Sequence, residues 1–240
     1  MVPMNAGESG AGFRQQLLER FLTRWRTKMA ANTFGMLAFF GAYFWVLDHP
    51  FSAPYEMPLT AIDGWIGTHP SAILLYATLW VYVSLPLALL MRKRDMASFG
   101  VAAFAISAIG LGIFMLWPTT TAGVQTGALR DPMTAFLKDV DGTGNACPSL
   151  HVAFAVFTAV WLHRLLREMG LGRVMLALDW LWCAAILYST VATRQHVALD
   201  VVAGAVLGAC VVAANLLWLR RADLRRPTVN SRPEGAALAA

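Results

Sequence analysis

The sequence predicts an all-α fold, a polytopic membrane helix bundle with about six transmembrane helices. Three observations predict it. Apolar residues make up 58% of the 240 residues and charged ones only 14%, whereas about a quarter of a soluble domain is charged. The apolar residues form continuous runs close to the roughly 20 residues that a helix needs to cross the hydrocarbon core. The basic residues gather in alternate connections between those runs, as they do in inner-membrane proteins. The same observations exclude other classes. A soluble domain of this composition would expose large apolar patches. A membrane β-barrel would show alternating rather than continuous apolarity. Disorder and a disulfide scaffold do not fit the composition either.

Taken in order, residues 1–12 are small and polar, which favours disorder. Phe13, Leu17, Phe21 and Trp25 then recur at every fourth position among Arg14, Arg20, Arg24, Arg26 and Lys28. That pattern predicts a basic amphipathic helix on the membrane surface, or equally a plain cytoplasmic extension of the first span. The N-terminus does not read as a cleavable signal, because the first apolar run starts near Ala30 and no small-x-small site follows it. Six runs come next, at 30–47, 71–91, 96–117, 150–166, 174–191 and 197–219. Pro86 falls inside the second and is expected to kink it. Asp179 lies near the start of the fifth. The expected organisation is a cytoplasmic segment over 1–29, a six-span catalytic domain over 30–219, and a basic, disordered cytoplasmic tail over 220–240.

Charge sets the expected orientation. Sixteen of the 19 Lys and Arg residues lie in the N-terminal segment, in the connections at 92–94 and 164–173, and in the tail. The positive-inside rule makes that side cytoplasmic, with both termini inside. The net charge of +5 is therefore a topology signal, not a sign of a nucleic-acid partner. The remaining cations, Arg130, Lys138 and Arg194, fall in outer loops that also hold the chemistry, as a site for an anion would require. The three cysteines, Cys147, Cys183 and Cys210, show no CxxC spacing and define no disulfide framework.

Two clusters carry the chemistry. The first is Asn145-Ala-Cys147-Pro148-Ser149-Leu150-His151, ahead of the fourth span. The second runs from Ser189 through Arg194-Gln195-His196 to Asp200, into the sixth. Both sit on the outer face at a helix N-terminus, where free N–H groups and the helix dipole favour a phosphate. His196 and Asp200, four residues apart, share a helix face with Cβ atoms about 5–6 Å apart. An aspartate one turn inside an apolar span is costly without a partner. Its partner is expected to be one imidazole nitrogen of His196, leaving the other to attack. His151, from another span, is placed to protonate a leaving group. Cys147, His151, His196 and Asp200 also permit a zinc reading, but without a short His/Cys ligand pattern it carries little weight.

Pro148-Ser149-Leu150-His151, the stretch from Ser189 to Asp200, and Asp200-Val-Val-Ala-Gly204 resemble the type 2 phosphatidic acid phosphatase (PAP2)/haloperoxidase superfamily. The wording of the motifs is similar to its branch of inositol phosphorylceramide synthase-like lipid phosphotransferases. The resemblance covers roughly 118–215. It implies that His196 is the nucleophile that becomes phosphohistidine, that Asp200 orients it and that His151 protonates the leaving oxygen. Ser149 and nearby amides would hold the phosphoryl group. It implies no metal and no cofactor. The partners it implies are a lipid phosphate or phosphodiester and, for a transferase, a lipid alcohol such as ceramide or diacylglycerol.

Departures from the pattern matter as well. The Lys-x6-Arg-Pro motif of the phosphatases is missing, Thr190 stands where they carry Arg, and Leu150 replaces Gly. Arg194 is the best substitute for the missing phosphate-binding cations, with Arg130 and Lys138 behind it. These absences lean toward transfer to a lipid alcohol rather than to water. A non-catalytic lipid binder or transporter on the same scaffold is the alternative from another class. A vanadium haloperoxidase does not suit the spans. The compact form suits a bacterial inner membrane with the active site facing outward.

Overall fold

The computed structural model describes residues 6–121 and 144–224. In chain order they form α1 (Ala6–Leu22), α2 (Trp25–Asp48), β1 (Tyr55–Met57), α3 (Ala61–Ile66), a 3-10 turn at Pro70–Ala72, α4 (Ile73–Ala77), α5 (Leu79–Leu89), α6 (Lys93–Leu116), β2 (Thr119–Thr121), α7 (Leu150–Glu168), α8 (Arg173–Ala192) and α9 (Ala198–Leu224). Six helical stretches are long and apolar enough to cross a membrane: α2, Pro70–Leu89, α6, α7, α8 and α9. They coincide with the six expected runs to within a few residues. Helices suit this medium because they satisfy their backbone groups internally. Large apolar side chains such as Phe34, Leu37, Phe104 and Val202 point outward, as a lipid-facing surface requires.

Three local features differ from expectation. First, the basic stripe is not one continuous surface helix. Helix begins at Ala6 and breaks at Arg24, whose φ of 54° is left-handed. The cations near the break dock onto the bundle. Lys28 Nζ donates to Ala88 O at 2.7 Å and Arg20 Nη1 to Leu89 O at 3.2 Å. These carbonyls end α5 and have no intrahelical donor, so cations there are doubly favourable. Second, the interruption of the second span falls at Thr78, between α4 and α5, while Pro86 lies inside α5. The Thr78 hydroxyl donates to Leu75 O and accepts from Trp182 Nε1. Third, a short parallel pair joins β1 to β2, in register Tyr55↔Thr119 to Met57↔Thr121. Two three-residue strands give little hydropathy signal.

Asp179 has the partner that its depth demands: Tyr82 Oη donates to Asp179 Oδ1 at 2.7 Å, tying α5 to α8. The most extensive helix–helix contact is that of α7 with α9. A Cβ on Gly204 would lie 2.2 Å from Ser149 O, and one on Gly208 2.3 Å from Ala153 O. The two glycines, four apart, let backbones touch, which is how helices gain packing energy when lipid removes the hydrophobic drive between them.

Candidate active site

The bundle brings the two expected clusters together at one end. Thr119, fully buried on β2, organises the first: Cys147 N donates to Thr119 Oγ1 at 2.8 Å and Ala146 N to Thr119 O at 3.2 Å. The Cys147–Pro148 peptide is cis. Ser149 is the N-cap of α7, its Oγ accepting from Val152 N at 3.3 Å. The second cluster leaves α8 through a tight turn. Arg194 takes a left-handed φ of 58°, and the N–H groups of Gln195 and His196 both reach Thr190 O at 3.1 Å. Ser149 N then donates to Asp200 O at 3.0 Å, locking the two clusters to each other.

His196 Nε2 lies 3.2 Å from His151 Nδ1. Asp200 Oδ2 lies 3.6 Å from His196 Nδ1. That is an electrostatic contact rather than a hydrogen bond, longer than the expected pairing. Asp200 is fully buried, and its Oδ2 also accepts from Val197 N at 3.0 Å. Tyr76 Oη is 2.7 Å from His151 Nε2. Sequence reasoning misses Tyr76, which lies 75 residues from His151 in the chain. An aromatic residue inside an apolar run carries no local mark of such a role.

The amides expected to be free for phosphate are largely paired. At the start of α9, Val197 N is held by Asp200 and Ala198 N by Asp63 Oδ1 at 2.8 Å. At the start of α7, Val152 N is held by Ser149. The reason is economy of burial: an N–H in this apolar setting is costly unless satisfied, so the protein supplies its own acceptors.

Asp63 is a second residue that sequence reasoning misses. It sits buried in α3, in the connection between the first and second spans, and its Oδ2 accepts from both Thr60 N and Thr60 Oγ1 at 2.7 Å. Burial pushes its pKa up, but the Thr60 hydroxyl and amide, the Ala198 amide and the nearby Arg194 charge outweigh it and hold the carboxyl below its ordinary value. Asp63→Ala is therefore expected to lower stability at neutral pH by about 1–3 kcal/mol. The contribution is complete above the unfolded carboxylate pKa of about 3.9 and is lost as pH falls through the lower folded value. Melting curves of wild type and variant in detergent should converge toward acid. A gap of constant size at all pH values would contradict this role.

Of the expected phosphate-binding residues, Ser149 lies at the cluster with its hydroxyl engaged as a cap. Arg194 Nε donates to Thr68 Oγ1 at 2.9 Å, in the connection between the first and second spans. Arg130 and Lys138 lie outside the described residues. Burial, then the charge of Asp200 and a hydrogen bond to it, push the Cys147 thiol up to about 11, so it remains a thiol at neutral pH. Among the described residues no group of three His, Cys, Asp or Glu side chains is arranged to hold a metal ion.

An apolar cavity of about 670 Å³ has His151 and His196 among its lining residues. Six apolar helices with a His–His–Asp cluster beside such a cavity define a helical integral membrane protein with an embedded polar site. Residues 114–223, which carry both clusters, match the model of the PAP2 superfamily, a group that contains phosphatases and phosphotransferases. The match and the helices together support a membrane phosphatase-type function. Comparison with curated proteins yields no match, and comparison with solved structures yields none.

Proposed function

We propose that this protein is a lipid phosphatase or phosphotransferase that works through a phosphohistidine on His196, with the site on the outer membrane face. The observation that carries the reading is the line Asp200–His196–His151–Tyr76, at 3.6, 3.2 and 2.7 Å, within the bundle whose 114–223 segment matches the superfamily. The proton positions follow from charge. Asp200 favours a proton on His196 Nδ1, since a bare nitrogen there would set a lone pair against the carboxylate. His196 Nε2 is then an acceptor, and His151, as the acid, carries a proton on both nitrogens: Nδ1–H donates to His196 Nε2 and Nε2–H donates to Tyr76 Oη.

In this arrangement the nucleophilic nitrogen and the acid face each other at 3.2 Å, and substrate binding breaks that contact, so that the two rings part to admit the phosphoryl group between them. His196 Nε2 attacks phosphorus and the bond to the leaving oxygen breaks. The proton from His151 Nδ1 goes to that oxygen. Asp200 stabilises the positive charge that develops on His196. In the second half, water or a lipid alcohol attacks the phosphohistidine and gives its proton to His151 Nδ1. Ser149, Arg194, Arg130 and Lys138 are the proposed phosphoryl-binding groups. For Ser149 and Arg194 this means exchanging the hydrogen bonds to Val152 N and Thr68 Oγ1 for the substrate. The missing phosphatase-type cations favour a lipid alcohol as acceptor.

The test is turnover of phosphatidic acid, phosphatidylglycerol phosphate, a polyprenyl diphosphate and phosphatidylinositol by pure protein, with and without diacylglycerol or ceramide. Free phosphate without acceptor marks a phosphatase. A new phospholipid formed only with acceptor marks a transferase. No product from any substrate would leave the non-catalytic alternative. In the same assay Tyr76→Phe is expected to lower kcat by up to about tenfold, the worth of one hydrogen bond, and to move the pH profile. An unchanged kcat and profile would remove Tyr76 from the relay.

A further inference from the structure

We propose that α3 is a membrane-surface anchor. Its Ile62 and Trp65 rest in the boundary between lipid headgroups and acyl chains at the histidine end of the bundle. Through Asp63, on the opposite face, that contact holds the start of α9. The inference concerns how the protein engages the bilayer and does not depend on which reaction it performs.

The argument starts from the helical repeat. At 3.6 residues per turn, Ile62 and Trp65 fall on the face of α3 turned away from Asp63. Asp63 is fully buried, whereas Ile62 is 55% and Trp65 89% exposed. Single exposed apolar residues need no explanation. Here Phe51 and Leu59 of the same connection are also exposed, and residues 49–69 contain no Lys or Arg. A connection that faced only water would be expected to be polar. This one presents bulky apolar side chains and turns the carboxylate of α3 inward.

Depth identifies what covers the face. Asp63 Oδ1 accepts from Ala198 N, the first residue of α9, and His69 N donates to Ala192 O, the last residue of α8, both at 2.8 Å. The connection is thus pinned at the level where two spans end, which is the membrane–water interface. Other exposed aromatics mark the same level: Trp45 near the end of α2, Trp117 just past α6 and Tyr188 near the end of α8. Tyr55 packs against Trp117 with ring centroids 5.9 Å apart. Trp and Tyr are enriched at that depth because an apolar ring with a polar edge suits it. Trp65 therefore joins an aromatic belt, and the lipid surface is its occupant. The belt also reaches the site. Asp63 and His69, with the Arg194–Thr68 contact, tie this connection to the turn 192–198 that carries His196. Lipid held by Ile62 and Trp65 fixes the height of that turn relative to the headgroups.

The test uses the full chain in phosphatidylethanolamine/phosphatidylglycerol nanodiscs. Spin labels are placed at Ile62→Cys or Trp65→Cys in a Cys210→Ala background, since Cys147 and Cys183 are buried. Both positions are exposed, so the labels leave the packing intact. Each label is expected to meet dissolved oxygen more readily than a water-soluble nickel complex. Access to nickel equal to that of a label in bulk water would overturn the anchor. Shielding from both reagents would also overturn it, because protein, whether this chain or a second copy, would then cover the face. A second measurement reads the coupling through hydrogen exchange of the backbone amides at 195–199. In the Ile62→Ser, Trp65→Ser double variant their exchange is expected to rise about fivefold, the worth of one hydrogen bond. Asp63→Ala, which removes the acceptor itself, sets the upper limit. Unchanged exchange in the double variant, with a clear rise in Asp63→Ala, would show that lipid contact does not hold α9 and would overturn the coupling.

Discussion

His196→Ala is expected to lower turnover of a lipid phosphoester by about 10⁴-fold or more, as loss of a covalent nucleophile does elsewhere. The fold should survive the change. The His196 side chain makes one polar contact within hydrogen-bond distance, to His151, and its Nδ1 has no hydrogen-bond partner. The backbone N–H that anchors the turn to Thr190 O is untouched. Asp200→Ala differs, because it also frees Val197 N at the start of α9, so both activity and stability should fall. The decisive measurement pairs product release with quenching, in alkaline detergent, of enzyme exposed to ³²P-labelled substrate. Wild type should carry an acid-labile label and the alanine variant none. Labelled phosphoprotein in His196→Ala, or activity close to wild type, would remove His196 from the nucleophile's place.

Gly204→Ala is expected to cost about 3 kcal/mol, the upper part of the usual range for overpacking, and to abolish activity. The added methyl would lie 2.2 Å from Ser149 O, 3.1 Å from Ser149 C and 3.2 Å from Val152 Cβ. Two of these atoms are backbone and cannot swing aside, so α9 must move off α7. That motion separates His196 and Asp200, at the start of one helix, from Ser149 and His151, at the start of the other. Gly35→Ala is the matched control. Its Cβ has open space, and alanine is the better helix former by about 1 kcal/mol. Thermal melts and assays of the two variants side by side test the contact. If both behave alike, the close approach of α7 and α9 does not hold the site.

Both glycines sit in apolar runs and look alike in the sequence, although Gly204 falls in the family-like wording after Asp200. Their difference shows how far local reading goes. Hydropathy and the 3.6-residue repeat are properties of neighbours in the chain, so six spans are legible from the sequence alone. The His196–Asp200 pairing is legible for the same reason, since four residues along a helix is a local distance. The meeting of the His151 and His196 clusters follows from motif wording and a common membrane face, and the fold brings them to 3.2 Å.

The remaining features are made by contacts between residues far apart in the chain. Tyr76 reaches His151 across 75 residues and Asp63 reaches Ala198 across 135. Neither carries a composition or spacing signal, because each is defined only by what folds against it. Helix N-termini that look open to phosphate in the sequence are closed by such partners, since an apolar interior does not tolerate unpaired N–H groups. Arg194, singled out by its closeness to His196 in sequence, turns instead to Thr68. The chain by itself determined a membrane helix bundle and the residue types of its chemistry. Only the tertiary structure decided which groups complete the site, and which small-residue face is a contact and which is open, because both depend on helix spacing that no single helix encodes.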